Sequence, residues 1–371
     1  MKHLLSALGL SLTFFACASD YDKASSLNIT AKSVDFADGF TIPWGIAQLP
    51  DGNLLVTERQ GSLYFVDKAT RKKTEVKGVP EVFAKSQGGL LDIKLHPNYR
   101  KNGWIYITYS SPEGKEKGGH TALMRAKLDR QSLSLSDQTV LYKGEGNTDN
   151  GRHFGSRIAF DNEGFVYFSI GDRGNRDVLP QDLTLDGGKV YRLHEDGKVP
   201  ADNPFVNVKD AKPAIYSYGH RNPQGLVKNA LTGKIWSHEH GPRGGDEVNV
   251  IEKGANYGWP VVSYGVNYSG TSFTDLTEKE GMTNPVLYWD PSIAPSGMIH
   301  VTSDRYPQLK GKFLLGSMKF SFLSALEVDG DKVVKQYKVL QGIGRVRSLH
   351  QGADGYIYVG IDGYGIKRLE P

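Results

Sequence analysis

The feature that most constrains this chain is a degenerate repeat of short strands and tight turns. Residues 44–58 read as a strand, a Pro50-Asp51-Gly52 turn and a second strand, and residues 61–67 read as a third. The same shape returns at 91–109 around Asn102-Gly103, at 157–170 around Asn162-Glu163-Gly164, at 225–237, more loosely at 298–317, and at 346–360 around Asp354-Gly355. Alternation such as Tyr356-Ile357-Tyr358-Val359 marks half-buried strands, and turn residues stand between them at fixed places. Helical periodicity is scarce. Repeated antiparallel units of this kind bury their faces only against one another, so they stack into a ring rather than a sandwich. The expected fold is all-β: a six-bladed β-propeller of four-stranded antiparallel blades, one domain over residues 29–371, with the first strand, from about Ile29, completing the last blade. Composition agrees, since Gly makes up 44 of 371 residues and Tyr another 19, which suits many turns and strands. The longest turn-rich insertions lie at about 112–122, 174–213 and 264–283; loops of that length usually carry function or disorder.

The N-terminus has a different character. Lys2 and His3 precede an apolar run from Leu4 to Ala16, and small residues follow, the layout of a secretory signal peptide over residues 1–18. The run is too short to span a bilayer. Two processing readings stay open. Ala16-Cys17-Ala18 is an A-x-A cleavage site; Phe14-Phe15-Ala16-Cys17 loosely resembles a bacterial lipoprotein box. Cys17 is the chain's one cysteine, so no disulfide within the chain is possible and lipidation would give it a use. The expectation is an exported, periplasmic protein whose membrane contact, if lipidated, is a lipid anchor on Cys17. The net charge is only +4, without a dense basic stripe, so nucleic acid is not an expected partner.

Several polar clusters interrupt the strands. Arg221 and Asn222 sit in Gly219–Leu226, where Arg221 suits a planar anion, with a loop salt bridge as the competing reading. Carboxylates and glycines run through residues 237–250 and on to Pro260, a composition fit for calcium; His238 and His240 also raise zinc, but a third ligand is not evident. His153, in a Gly-containing loop before a strand, is a candidate general base, against the commoner case of a surface histidine. Arg345 and Arg347 read as two arginines on one strand face, or as a solvated edge. Gln87 and Lys319 complete the set. The chain has no G-x-G-x-x-G between strand and helix and no G-x-S-x-G, which disfavours a nicotinamide Rossmann site and an α/β-hydrolase.

Five motifs in order resemble the soluble aldose sugar dehydrogenases that depend on pyrroloquinoline quinone (PQQ), of the glucose/sorbosone dehydrogenase family. They are Pro-Trp-Gly at 43–45, Gln-Gly-Gly-Leu-Leu at 87–91, Tyr-Gly-His-Arg-Asn-Pro-Gln-Gly-Leu at 218–226, His-Gly-Pro-Arg-Gly-Gly-Asp-Glu at 240–247 and Asn-Tyr-Gly-Trp-Pro at 256–260. The resemblance implies PQQ over the channel, met by Arg345, Arg347, Lys319, Arg221, Asn222 and Gln87, with Tyr268 as a further candidate. It implies calcium on the backbone carbonyls of Gly241 and Pro242, and a second calcium near Glu247 and the backbone of Tyr257. His153 would be the catalytic base and Arg221 would stabilise developing negative charge. The substrate would be an aldose, oxidised at C1 to the lactone, with an external electron acceptor to follow. Glucose-specific members carry an acidic residue before the catalytic histidine. Here that residue is Arg152, which points to a broader aldose range. The alternatives are a calcium-dependent propeller lactonase and a non-catalytic binding propeller.

Overall fold

In a computed structural model, the structure describes residues 18–19 and 24–371. The apolar N-terminal run and Cys17, with both of their processing readings, lie outside the described residues.

Six antiparallel sheets form the ring. The first blade is built from Pro43–Gln48, Leu54–Glu58, Leu63–Val66 and Lys73–Val76, and the second from Leu90–Leu95, Trp104–Ser111, His120–Asp129 and Ser134–Lys143. Blade three comprises Ile158–Phe160, Val166–Ile170, Lys189–Leu193 and Ile215–Tyr218, and blade four Pro223–Lys228, Ile235–Glu239, Asp246–Val250 and Leu287–Trp289. Blade five contains Pro295–His300, Phe313–Ser317, Phe322–Asp329 and Lys332–Val339. The sixth joins Val346–Gln351, Ile357–Ile361 and Gly365–Glu370 to an N-terminal strand, Lys32–Asp38, which closes the ring as expected but starts a few residues later. Ala18–Ser19 and Ser25–Ser26 add short parallel pairings to the outer edges of blades four and five. The stretch 174–213, read from sequence as one insertion, contains the third strand of blade three, Lys189–Leu193.

The core is distributed as the repeat requires. Each blade buries its faces against its neighbours, and six apolar clusters fill the six inter-blade seams. Leu55, Leu63, Ile93 and Ile107 pack between blades one and two; Trp236, Trp289, Phe313 and Phe322 between four and five. Phe36, Ile366 and Val56 close the seam between six and one.

The first strand of every blade lines the central axis. In five of the six, a bulge shifts the register close to the strand's start, and Pro43, Pro223 and Pro295 open three of them. Proline lacks a donor and is tolerated on such an edge, while a bulge bends the strand and re-aims its side chains. Close approach around the axis also demands glycine at particular places. A Cβ on Gly297, where φ is +64°, would lie 2.8 Å from the backbone nitrogen of Leu349 in blade six.

One buried side chain ties the ring together. The Arg157 guanidinium, from blade three, donates to Gln224 O (2.9 Å), Trp44 O (3.0 Å), Asp92 Oδ1 (3.2 Å) and Arg347 O (2.9 Å), in blades four, one, two and six. It stacks 3.9 Å over the Trp44 ring. Asp92 Oδ2 accepts in turn from the Ile158 amide (2.9 Å). The Trp of the Pro-Trp-Gly motif is therefore part of an axial clasp.

Candidate active site at the top of the ring

The end at which the inner strands begin is the top. Loops entering those strands carry Gln87, His153, Arg221 and Arg345, so the fold gathers four of the sequence candidates around one rim.

His153 stands at φ +49° in the loop before blade three's inner strand. Its Nδ1 is 2.6 Å from Asp172 Oδ1, and its side chain is 13% exposed toward a cleft of about 240 Å³. Asp172 is buried. Burial pushes its carboxyl up, but the hydrogen bond from His153 and the charges of His153 and Arg221 outweigh that and leave it below the usual carboxylate range. An ionised Asp172 only accepts, so Nδ1 carries the proton and Nε2 is left as the basic nitrogen available to a ligand in the cleft. Burial also lowers the His153 imidazole below its ordinary value, outweighing the opposing pull of Asp172. The ring is thus neutral at neutral pH. Asp172 is itself fixed by Trp259 Nε1 (2.8 Å to Oδ2) and by the Gly174 amide (2.8 Å to Oδ1).

The same loop is clamped from three sides. The His153 amide donates to Gln87 Oε1 (2.9 Å), and the Gly155 amide to Asn222 Oδ1 (3.1 Å). Arg173, fully buried and stacked 3.5 Å from the Phe154 ring centroid, donates to the Arg152 carbonyl. Gln87 and Asn222, singled out as cofactor ligands, therefore also position the histidine loop.

Arg221 is buried. Its amide donates to Glu239 Oε2 (2.5 Å) and its guanidinium to His240 O (3.1 Å), with the Trp259 ring centroid 5.4 Å away. It lines both the cleft and a small adjoining cavity of about 10 Å³, which Glu239, Gly241, Glu247 and Tyr257 also line. Pro242 faces the cleft instead. Gly241 is held by its amide to Asp246 Oδ1 (2.9 Å), and a Cβ there would sit 2.3 Å from the carbonyl oxygens of Gly244 and Gly245. Burial and the neighbouring Glu239 charge raise the Glu247 carboxyl well above its usual range. The Tyr257 hydroxyl is spent on the Val250 carbonyl and the Glu252 amide. The small cavity is lined by two glycines, Gly241 and Gly245, and by two buried acids, Glu239 and Glu247, of which Glu247 accepts from Asn249 Nδ2 (3.3 Å); oxygen donors of this kind are what calcium takes, though among the described residues no group of three or more His, Cys, Asp or Glu side chains is placed to hold a metal ion. His238 and His240 lie on one side of their strand, as alternation requires. Both are engaged with blade five, through Gly297 O (3.2 Å) and Pro295 O (2.6 Å), and burial pushes both down to about 3.

Arg345 and Arg347 do not form an isolated pair. Arg345 precedes the strand, and both share Asp362: Arg347 through Nε to Oδ1 (3.1 Å) and a terminal nitrogen to Oδ2 (2.6 Å), Arg345 through Nε to Oδ2 (3.1 Å). Lys319 is exposed, its Nζ 4.9 Å from the Phe320 ring. Tyr268 stands 74% exposed at the mouth of the cleft, near Arg152.

Asp172 and Asp362 were not singled out from sequence, and a positional signal for them exists. In blades one, three, four and six an acidic residue ends or follows the second strand: Glu58, Asp172, Glu239 and Asp362. Antiparallel pairing sets each against the loop entering its own inner strand. Glu58 accepts from the Thr41 (2.7 Å) and Ile42 (2.8 Å) amides, Asp172 meets His153, Glu239 meets Arg221, and Asp362 meets Arg345.

The six-bladed ring thus carries at one end a neutral histidine on a buried carboxylate beside several arginines, a site that can take up a proton next to a bound anion. The chain belongs to the Glucose / Sorbosone dehydrogenase family, which it matches over residues 40–367, and it is an enzyme of sugar oxidation. It is 38% identical to the aldose sugar dehydrogenase YliI of Escherichia coli K12 over 85% of this chain and 86% of that one. It is 31% identical to quinoprotein glucose dehydrogenase B of Acinetobacter calcoaceticus, over 74% and 64%. The solved PQQ-bound aldose sugar dehydrogenase of Streptomyces coelicolor superposes with a TM-score of 0.77 at 28% identity, covering 94% of this chain and 99% of that one.

Proposed function

We propose that this protein oxidises aldoses at C1 to the lactone with PQQ as the electron acceptor and His153 as the base. The observation that carries this reading is the His153–Asp172–Trp259 chain, which presents a neutral imidazole nitrogen to the cleft beside Arg221. PQQ, when bound, supplies the two-electron, hydride-accepting chemistry; the protein supplies orientation and electrostatics. His153 Nε2 takes the proton of the anomeric hydroxyl as C1 gives up its hydride, and Asp172 stabilises the imidazolium that results. Arg221 puts a fixed positive charge at the floor of the cleft, where negative charge on oxygen develops. Arg345, Arg347 and Lys319, sharing one carboxylate between the two arginines, leave an excess of positive charge on the rim suited to a carboxylated cofactor. Gln87 and Asn222 hold the histidine loop. Calcium would sit against Gly241, Glu247 and the Tyr257 backbone, with Pro242 toward the cleft. Tyr268 and Arg152 at the mouth would contact the sugar or cofactor edge, and with a cation at Arg152 a broad aldose range is expected. The protein would be exported, with Cys17 as a possible lipid site, and mass spectrometry of the purified native protein distinguishes a lipidated Cys17 from a chain beginning at Ser19.

The test is reconstitution. Purified protein given PQQ and calcium should reduce a redox dye with several aldoses; no reduction with any of them would refute the reading, and metal-dependent lactone hydrolysis without PQQ would favour the lactonase alternative.

A further inference from the structure

Resting on the PQQ reading above, we propose that Arg59 is a further cofactor-binding residue, whose guanidinium pairs with a carboxylate of the bound quinone. Arg59 follows directly on Leu54–Glu58, at the top of blade one. Its amide donates to Ile42 O (3.1 Å) and its carbonyl accepts from the Leu90 amide (3.0 Å), which pins it between the entrances of the first two inner strands. Gly89 packs directly on it: a Cβ there would fall 1.6 Å from Arg59 O and 3.1 Å from Arg59 Cγ. That contact accounts for the second glycine of Gln87-Gly88-Gly89 and sets Arg59 against this loop at the rim.

Its guanidinium is short of an anion. Nε is buried with no hydrogen-bond partner among the described residues. The charges that act on it are Arg347, Asp362 and Glu58. Neither carboxylate is ion-paired with it: Asp362 is shared by Arg345 and Arg347, and Glu58 accepts from the Thr41 and Ile42 amides. Three arginines thus face one shared aspartate. Burial and the like charge of Arg347 both work against the Arg59 cation, yet an arginine stays protonated in a protein. An unpaired, half-buried guanidinium is destabilising until an anion arrives, and a planar carboxylate is the group its fork fits best. A ligand with several carboxylates on a rigid aromatic frame meets that demand, and a neutral sugar does not.

The test is a PQQ titration of the calcium-loaded protein, followed by quinone absorbance, with wild type, Arg59→Gln and Arg59→Lys compared at a temperature where all are folded. The expected result is a Kd raised about tenfold or more in Arg59→Gln, partly recovered in Arg59→Lys, and a melting temperature of the PQQ-free Arg59→Gln protein equal to or above that of wild type. PQQ affinity unchanged in Arg59→Gln while wild type binds would overturn the proposal and leave the PQQ reading standing. Failure of wild type to bind PQQ would remove both.

Discussion

Asp172 Oδ1 lies 2.6 Å from His153 Nδ1, and the two residues come from opposite ends of one β-hairpin. This contact fixes the tautomer of the imidazole and leaves Nε2 basic. Asp172→Asn removes the fixed acceptor and allows the wrong tautomer. Turnover should fall by roughly 10²–10⁴-fold with little change in PQQ affinity. The pH profile separates this from a packing defect. To serve as the proposed base His153 must be neutral, and its folded pKa lies below the ordinary 6.5. The acid limb of kcat/KM should therefore have its midpoint below pH 6.5. Because Asp172 favours the protonated ring, the limb of Asp172→Asn should move further down. An acid limb unmoved by that substitution would assign it to another group.

Arg157→Met should destabilise the whole ring rather than the site alone. It removes four hydrogen bonds to four other blades and leaves Asp92 buried with only the Ile158 amide. Loss of one partner of a buried ion pair typically removes about 3–5 kcal/mol, measurable by denaturant unfolding. A change below about 1 kcal/mol would show that the clasp is not a determinant of stability.

Calcium should raise the melting temperature, since a ligand at a hundredfold above its Kd adds about 2.7 kcal/mol. Glu247→Gln removes a carboxylate from the wall of the small cavity and should abolish most of that increment. An equal increment in the variant would place the ion elsewhere.

Acid should weaken the fold before carboxylates titrate. His120 and His238 are fully buried and held down to about 3. Below pH 6.5 the unfolded chain binds protons that the folded one does not, so stability falls as pH falls, by up to about 1.4 kcal/mol per unit for each histidine. His238→Asn should flatten the dependence between pH 6 and pH 5; an unchanged slope would contradict this account.

The ring was legible because its period is written in turn residues as well as strands. Asp354-Gly355 and Asn102-Gly103 mark where the chain reverses, whatever the blade packs against. The third strand of blade three was not legible. Lys189–Leu193 lies between Asp- and Gly-rich loops, and its outer partner, Ile215–Tyr218, follows only after a long connection. The site divided in the same way. His153, Arg221 and Arg347 sit in motifs whose composition breaks the strand rhythm. Asp172 and Asp362 are single acids at strand ends, and their meaning comes from a pairing: Val346 opposite Ile361 sets Arg345 against Asp362. Once the hairpins are drawn, the acids at the ends of second strands become the natural partners of the loops before first strands. Arg59 was hidden for another reason, since its lack of an anion appears only when the partners of Asp362 and Glu58 are known.

The most direct test of the account is a single-turnover experiment on protein loaded with PQQ and calcium. Aldose is mixed in and the quinone absorbance followed, with His153→Asn beside wild type. Asparagine tolerates the positive φ of this position, so the loop is kept while the base is lost. The account predicts rapid bleaching in wild type and bleaching slowed by at least about a hundredfold in the variant, with PQQ bound equally in both. Bleaching at the same rate in both proteins, or none in wild type with any aldose, would contradict it.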